Sequence, residues 1–303
     1  MTISEDRHRS VELEQSVTLD GRFRLDRRLG DDGIAEVWRG EDQQLDRVVV
    51  IRVLHPRLRQ DPQVLERFRL EALAAARLSH GHVANLFDVA VHDDLAYTVG
   101  EYVDGPSLAR LMEDGPLEPV AVATVGHQAA AGLAVAHAEG IIHRDVRPGN
   151  LLVGRDGRVR IVDFGSARIP DPERPPLADH DYGAESYLAP ELETGALTTD
   201  RSDVYALGRT LLKALDGAHD AATGEDGLLD RVLGSIPGLP LGTSASDCLR
   251  EELAAATDPD PARRPSAEAF SATLRGLYGH RGDEVLRSMV DPLDEADYGR
   301  RPN

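Results

Sequence analysis

Short apolar runs separated by polar turns fill the first hundred residues, and long alanine- and leucine-rich stretches follow them. The run VVVIRVL at 48–54 has the spacing of a strand. Val49, Ile51 and Val53 share one face, and Val48, Val50, Arg52 and Leu54 share the other. The segments from GRFRLDRRLG to DLAYTVGEYV predict a β-rich unit interrupted by one helix. That helix carries its own start signals. Asp61 can cap it, Pro62 suits its first turn, and Val64, Leu65, Phe68 and Leu73 recur at nearly helical spacing. Beyond EYVDGPSL the pattern predicts helices over 118–139, 202–217 and 266–279, the last opened by Ser266 after Pro265.

These patterns divide the chain into a β-rich lobe at 19–100, a connector at 101–106 and a helical lobe at 107–279, an α+β arrangement. Residues 1–18 are charged with scattered apolar positions and read as disordered. Residues 280–303 form an acidic tail with one apolar cluster, Val285, Leu286, Met289 and Val290.

Charge removes some partners. A net charge of −19 and a pI near 4.9 argue against nucleic acid or an anionic membrane surface. The single cysteine, Cys248, cannot form an internal disulfide. The polar N-terminus is no signal peptide. The apolar stretch from Pro119 to Ile142 is interrupted by His127, Gln128 and His137, so it reads as a core helix and no membrane span is expected. A cytoplasmic protein is the expectation.

Arg52 is the odd residue in its strand. A cation there needs an anionic partner or an opening to water. The anion it serves is suggested by four motifs in order: LGDDGIAEV at 29–37, HRDVRPGN at 143–150, DFG at 163–165 and APE at 189–191. Together these resemble the protein kinase family, and specifically the bacterial serine/threonine kinases related to the eukaryotic ones. The resemblance runs from about residue 22 to 278 and implies the two-lobed protein kinase fold, a domain at 19–279, and ATP with magnesium as cofactor.

By that resemblance, Asp145 accepts or orients the proton of a substrate hydroxyl, and Arg147 stands near the transferring phosphoryl group. Asn150 and Asp163 are the magnesium ligands. The nucleotide site is implied at Leu29, Gly30, Gly33 and Val37, at Val50 and Arg52, at Glu71, and at Glu101, Val103 and Leu152. Arg52 would then face Glu71 and the phosphates of ATP. Asp203 resembles the residue that anchors the catalytic-loop backbone, and Glu191 with Arg264 resembles the family's buried ion pair. His143 and Phe164 read as core.

Several positions depart from the family pattern. Arginine replaces lysine at Arg52 and at Arg147, exchanging a compact ammonium for a larger planar fork. Lys213 is the only lysine among 34 basic residues, so drift toward arginine is the bland explanation. Asp32 stands where the middle glycine of the phosphate turn belongs, Asp31 adds a second charge, and Ala35 replaces the last glycine. Val50 and Gly100 exchange bulk around the adenine position. Ala184 replaces a threonine, and the segment from Ser166 through Ser186 to Tyr187 lacks threonine, which argues against activation by loop phosphorylation.

Two functions follow. One is a pseudokinase or weakly active kinase that acts by binding a protein partner, with magnesium-nucleotide binding left open. The other is an active ATP-dependent protein serine/threonine kinase acting on a protein substrate. A small-molecule phosphotransferase is disfavoured by APE and SDVYALG, which resemble protein-substrate kinases.

Overall fold

The computed structural model describes residues 15–92, 95–164, 187–217, 245–278 and 282–293. The chain divides into two compact units, residues 1–76 with 85–102 and residues 77–84 with 103–303.

The first unit is a six-stranded antiparallel sheet. Its strands are β1 (Thr18–Leu19), β2 (Phe23–Asp31), β3 (Ala35–Asp42), β4 (Arg47–Leu54), β5 (Leu86–His92) and β6 (Leu95–Glu101), arranged in the order β1-β2-β3-β4-β6-β5. The alternation in β4 sorts its two faces. Val49, Ile51 and Val53 join Leu25, Trp38, Tyr97 and Val99 in one core, while Leu54 packs with Phe68 and Ala96 on the other side. Phe68 belongs to helix α1 (Pro62–Ala75), which starts where the sequence places it. The Asp61 carboxylate accepts the Gln63 N–H at 2.8 Å and the Val64 N–H at 3.4 Å.

The second unit is built on helix α3 (Pro119–Ala138), which follows the short α2 (Leu108–Met112). Next comes a hairpin of β7 (Leu151–Val153) and β8 (Val159–Ile161), then α4 (Pro190–Glu193) and α5 (Asp200–Asp216). Among the described residues, helices α6 (Ala245–Ala256), α7 (Ala267–Tyr278) and α8 (Gly282–Val290) follow. Helix α3 is long and apolar enough to cross a membrane, yet 67% of its most apolar window is buried inside the protein. It packs against α5, α7, α8 and β8. Gly126 permits this, since a Cβ there would meet Leu211 Cδ1 at 2.6 Å and Leu274 Cδ1 at 2.7 Å.

Helix α8 lies in the segment read as an acidic tail. Leu286 and Val290 from its apolar cluster are buried, and Gln128 of α3 donates to the Asp283 carboxylate at 2.8 Å. Gly282 sits so close to Thr124 that any side chain would fall on its hydroxyl.

Candidate active site

The candidate residues divide between the units. In the first, strand register places Gly30, Val37 and Arg52 in one row with Thr98, so their side-chain positions share a face. A second row joins Val50 to Gly100. A Cβ on Gly100 would lie 3.5 Å from Val50 Cγ1 and 3.2 Å from the Asn85 carbonyl oxygen. The Asn85 carbonyl is thus the tighter limit on a side chain at 100, and Val50 would be in ordinary contact with it. Glu101 accepts the Asn85 side-chain amide at 2.9 Å and its backbone N–H at 3.1 Å. Leu29 is half-buried.

The glycine-rich turn is held by its two aspartates. Gly33 takes a positive φ of 87°, which glycine tolerates without strain. The Asp32 N–H donates to the Ala35 carbonyl at 3.1 Å and closes the turn. Asp32 Oδ1 then accepts the N–H groups of Ile34 at 3.1 Å and Ala35 at 2.8 Å. Asp32 Oδ2 accepts Arg52 Nε at 2.9 Å and Nη2 at 2.5 Å.

Asp31 accepts the Gly33 N–H at 2.8 Å and contacts His55 Nε2 at 3.0 Å. Partial burial raises the Asp31 carboxyl, but the His55 and Gly33 hydrogen bonds bring it below the usual aspartate range. The sequence permits a solvent-facing pair of aspartates here. Instead Asp32 turns inward, its side chain only 8% exposed. Glu71, on α1, accepts Arg67 Nε at 2.6 Å.

In the second unit the loop from His143 to Asn150 hangs on Asp203. That buried carboxylate accepts the His143 and Arg144 N–H groups, each at 2.8 Å, and His137 Nε2 at 2.8 Å. Burial pushes the Asp203 carboxyl up, but these donors more than reverse the effect and hold it below the usual value. His143 Nε2 lies 3.1 Å from the Val162 carbonyl and its Nδ1 accepts the Asp145 N–H at 3.2 Å, which fixes the tautomer. The His143 ring meets Phe164 edge-on at 4.6 Å.

Asn150 ends a short 3-10 turn and leads into β7. Because Leu151 pairs with Ile161 and the Val162 N–H donates to the Asn150 carbonyl at 3.0 Å, the hairpin brings Asn150 and Asp163 to the same end. Asn150 Nδ2 donates to the Asp145 carbonyl and to its Oδ2, both at 2.8 Å. Its Oδ1 is buried and has no hydrogen-bond partner among the described residues. A buried acceptor left open costs about 1–3 kcal/mol. A hard cation would satisfy it, so Asn150 fits a magnesium ligand, with Asp163 at φ 64° beside it.

Arg147 Nε stands 3.9 Å from Asp145 Oδ2. Val103 is buried, and Leu152 forms an isolated bridge to Ser107. Glu191 and Arg264 make a two-pronged pair at 2.8 and 2.7 Å. Gly165, Ser166, Ala184 and Ser186 lie outside the described residues.

The sequence left two contributors unnamed. His137 is the penultimate residue of α3 and supports Asp203. His55 directly follows β4 and holds Asp31. Each is a single polar residue after an apolar run, a pattern with no chemistry of its own.

The protein kinase domain family matches residues 23–271. Serine/threonine-protein kinase PrkC of Bacillus subtilis is 36% identical over 200 residues, covering 66% of this chain and 31% of that protein. PknA of Mycobacterium tuberculosis is 34% identical over 273 residues, covering 86% of this chain and 63% of that one. The chain thus spans less than two thirds of the length of these curated relatives. Among solved structures, the kinase domain of M. tuberculosis PknI superposes with a TM-score of 0.63 at 28% identity, covering 88% of this chain and 100% of that one. The two-unit architecture and these relatives agree with the ordered motifs: the chain belongs to the protein kinase family, among the bacterial serine/threonine kinases of eukaryotic type.

Proposed function

We propose that this is a kinase-fold signalling protein with a partly degraded ATP site, a pseudokinase or weakly active kinase that acts through a protein partner in the cytoplasm. One observation carries the reading: the donors of the phosphate cradle are already taken. The N–H groups of Gly33, Ile34 and Ala35 and the guanidinium of Arg52 all bind Asp31 or Asp32. In a phosphate-binding turn, such donors are aimed at the ligand. Here a triphosphate would have to displace a carboxylate from each of them and approach two like charges. The glycine-rich turn in this state does not fit that group.

A second reading, an active ATP-dependent protein serine/threonine kinase, is favoured by the other unit. The open Asn150 Oδ1, on a side chain whose amide holds the Asp145 carboxylate, supports a magnesium-assisted transfer. Asp145 Oδ1 makes no hydrogen bond among the described residues, which leaves it available to a hydroxyl proton. When bound, magnesium-ATP supplies the phosphoryl group and the neutralising charge. The chain's own contribution is to orient Asp145 through Asn150 and to hold the loop on Asp203.

Restoration separates the two readings. Asp32→Gly combined with Arg52→Lys should raise autophosphorylation or generic-substrate turnover by roughly tenfold or more. Unmodified protein turning over at ordinary kinase rates, roughly 1–100 per second, would rule out the first reading.

A further inference from the structure

Away from the kinase motifs, the second unit holds a cavity of about 370 Å³. It opens among the 80–82 segment, α3, the β7–β8 turn, α7 and α8. Its lining is cationic in a chain whose net charge is −19. His80, His82, His127, Arg158 and Arg275 face it, with Asp283 the one carboxylate among the described lining residues.

Two of the histidines are pinned in the same sense. His82 Nδ1 lies 2.9 Å from the Val159 carbonyl oxygen, so that nitrogen carries the proton. His127 Nδ1 lies 3.1 Å from the Ser271 carbonyl and 2.9 Å from Ser271 Oγ, whose own hydroxyl donates to the His127 carbonyl. It too must be the protonated nitrogen. Each ring is therefore left with Nε2 as its unprotonated atom, and neither Nε2 makes a hydrogen bond among the described residues. A second proton on either ring turns that acceptor into a charged donor.

The arginines share this lack of partners. Neither Arg158 nor Arg275 has a carboxylate within ion-pair distance among the described residues, whereas their near neighbour Arg160 binds Asp156 at 2.8 Å. Arg158 and His80 act electrostatically on His82, and Arg275 acts on His127. The opposing charge, Asp283, already accepts Gln128 Nε2 at 2.8 Å. Burial and the neighbouring cations hold His82 and His127 below the usual imidazole range, with the carbonyls of Val159 and Ser271 and, for His127, Asp283 opposing them.

We propose that this cavity binds a phosphoryl group, free or carried on a small molecule, between the guanidinium groups of Arg158 and Arg275 and the Nε2 atoms of His82 and His127. Planar guanidinium forks match the oxygens of phosphate. The volume falls in the range of small-molecule sites and exceeds what a lone ion needs. Binding brings protons with it, because an anion favours the charged imidazole. The site should therefore tighten as pH falls through the histidine range.

The experiment is a histidine-selective NMR titration of the full chain, with inorganic phosphate compared against chloride at matched ionic strength. Phosphate should raise the titration midpoints of His82 and His127 by roughly one pH unit or more. The double variant Arg158→Gln/Arg275→Gln, altered only at exposed positions, should abolish that rise while unfolding at the unmodified temperature without phosphate. Glucose 6-phosphate acting at lower concentration than inorganic phosphate assigns a carried phosphoryl group, and the reverse assigns the free ion. No rise with either probe, a rise that survives in the double variant, or an equal arginine-dependent rise with citrate would overturn the proposal.

Discussion

Arg52 places Nε and Nη2 on a single oxygen of Asp32, at 2.9 and 2.5 Å, and the other oxygen of that carboxylate ties down the turn. Asp32 is therefore more than an obstacle to phosphate. On the proposed reading it is a resident anion that takes the Arg52 cation and the Ile34 and Ala35 N–H groups a phosphate would use, while Asp31 takes the Gly33 N–H. Drift from lysine to arginine accounts for the cation alone. It does not account for an aspartate placed to meet it.

Replacing Asp32 with asparagine separates the two jobs of that side chain. Asparagine keeps an oxygen for the Ile34 and Ala35 N–H groups but gives up the charge facing Arg52. Asp32→Asn should lower stability by about 1.5–3 kcal/mol, the range for a hydrogen bond to a charged group. Urea unfolding would measure this, and an unchanged midpoint would mean that the pair contributes nothing.

The pair between Glu191 and Arg264 should matter more. Arg264 is buried, and it also donates to the Asp258 and Arg201 carbonyls at 2.7 and 3.1 Å. Glu191→Gln leaves a guanidinium inside the protein without its full counter-charge, a change that typically costs about 3–5 kcal/mol. Thermal unfolding should show a drop of roughly ten degrees, taking about 2–4 °C per kcal/mol for a domain of this size.

Asp203 gives the protein a pH dependence with a definite sign. Its carboxyl is held below the unfolded aspartate value of about 3.9, so the unfolded chain takes up the proton first as pH falls. The stability it contributes is fully present above that unfolded value and is lost as pH falls through the lower folded one. Urea midpoints should therefore decline below about pH 4, and Asp203→Asn should flatten part of that decline while lowering stability at neutral pH. A variant with the full acid slope would place the titration elsewhere.

Helix α8 should prove integral to the second unit. Gly282→Ala would drive a methyl group into the Thr124 hydroxyl, which itself donates to the Val120 carbonyl at 2.7 Å. Such overpacking costs about 1–3 kcal/mol. The companion Gly282→Ala/Thr124→Gly should recover much of the loss in the same thermal assay.

Much of this was legible in the chain and some was not, for identifiable reasons. Alternation sorted Val49, Ile51 and Val53 from Leu54 because a strand period of two leaves no choice once one face is buried. Asp61 and Pro62 marked the start of α1 because capping is local chemistry. The loop from His143 to Asn150 was legible because it forms one short contiguous motif. Asp31 and Asp32, by contrast, are the same residue type side by side. Which one turns inward depends on how Gly33 closes the turn, a property no propensity reports. Helix α8 was hidden because nine residues with two buried apolar side chains, Leu286 and Val290, are too few for a period to show. The histidine cavity was hidden because segments far apart in sequence meet only in the folded chain.

Calorimetric titration of magnesium-ATP into the unmodified protein and Asp32→Gly tests most directly the proposal that Asp32 occupies Arg52 and the Ile34 and Ala35 N–H groups of the phosphate cradle. The account predicts that binding tightens by tenfold or more when the aspartate is removed, the scale of a well-placed ionic contact of about 1.4 kcal/mol or greater. Equal affinity in the two proteins, or weaker binding by Asp32→Gly, would contradict it.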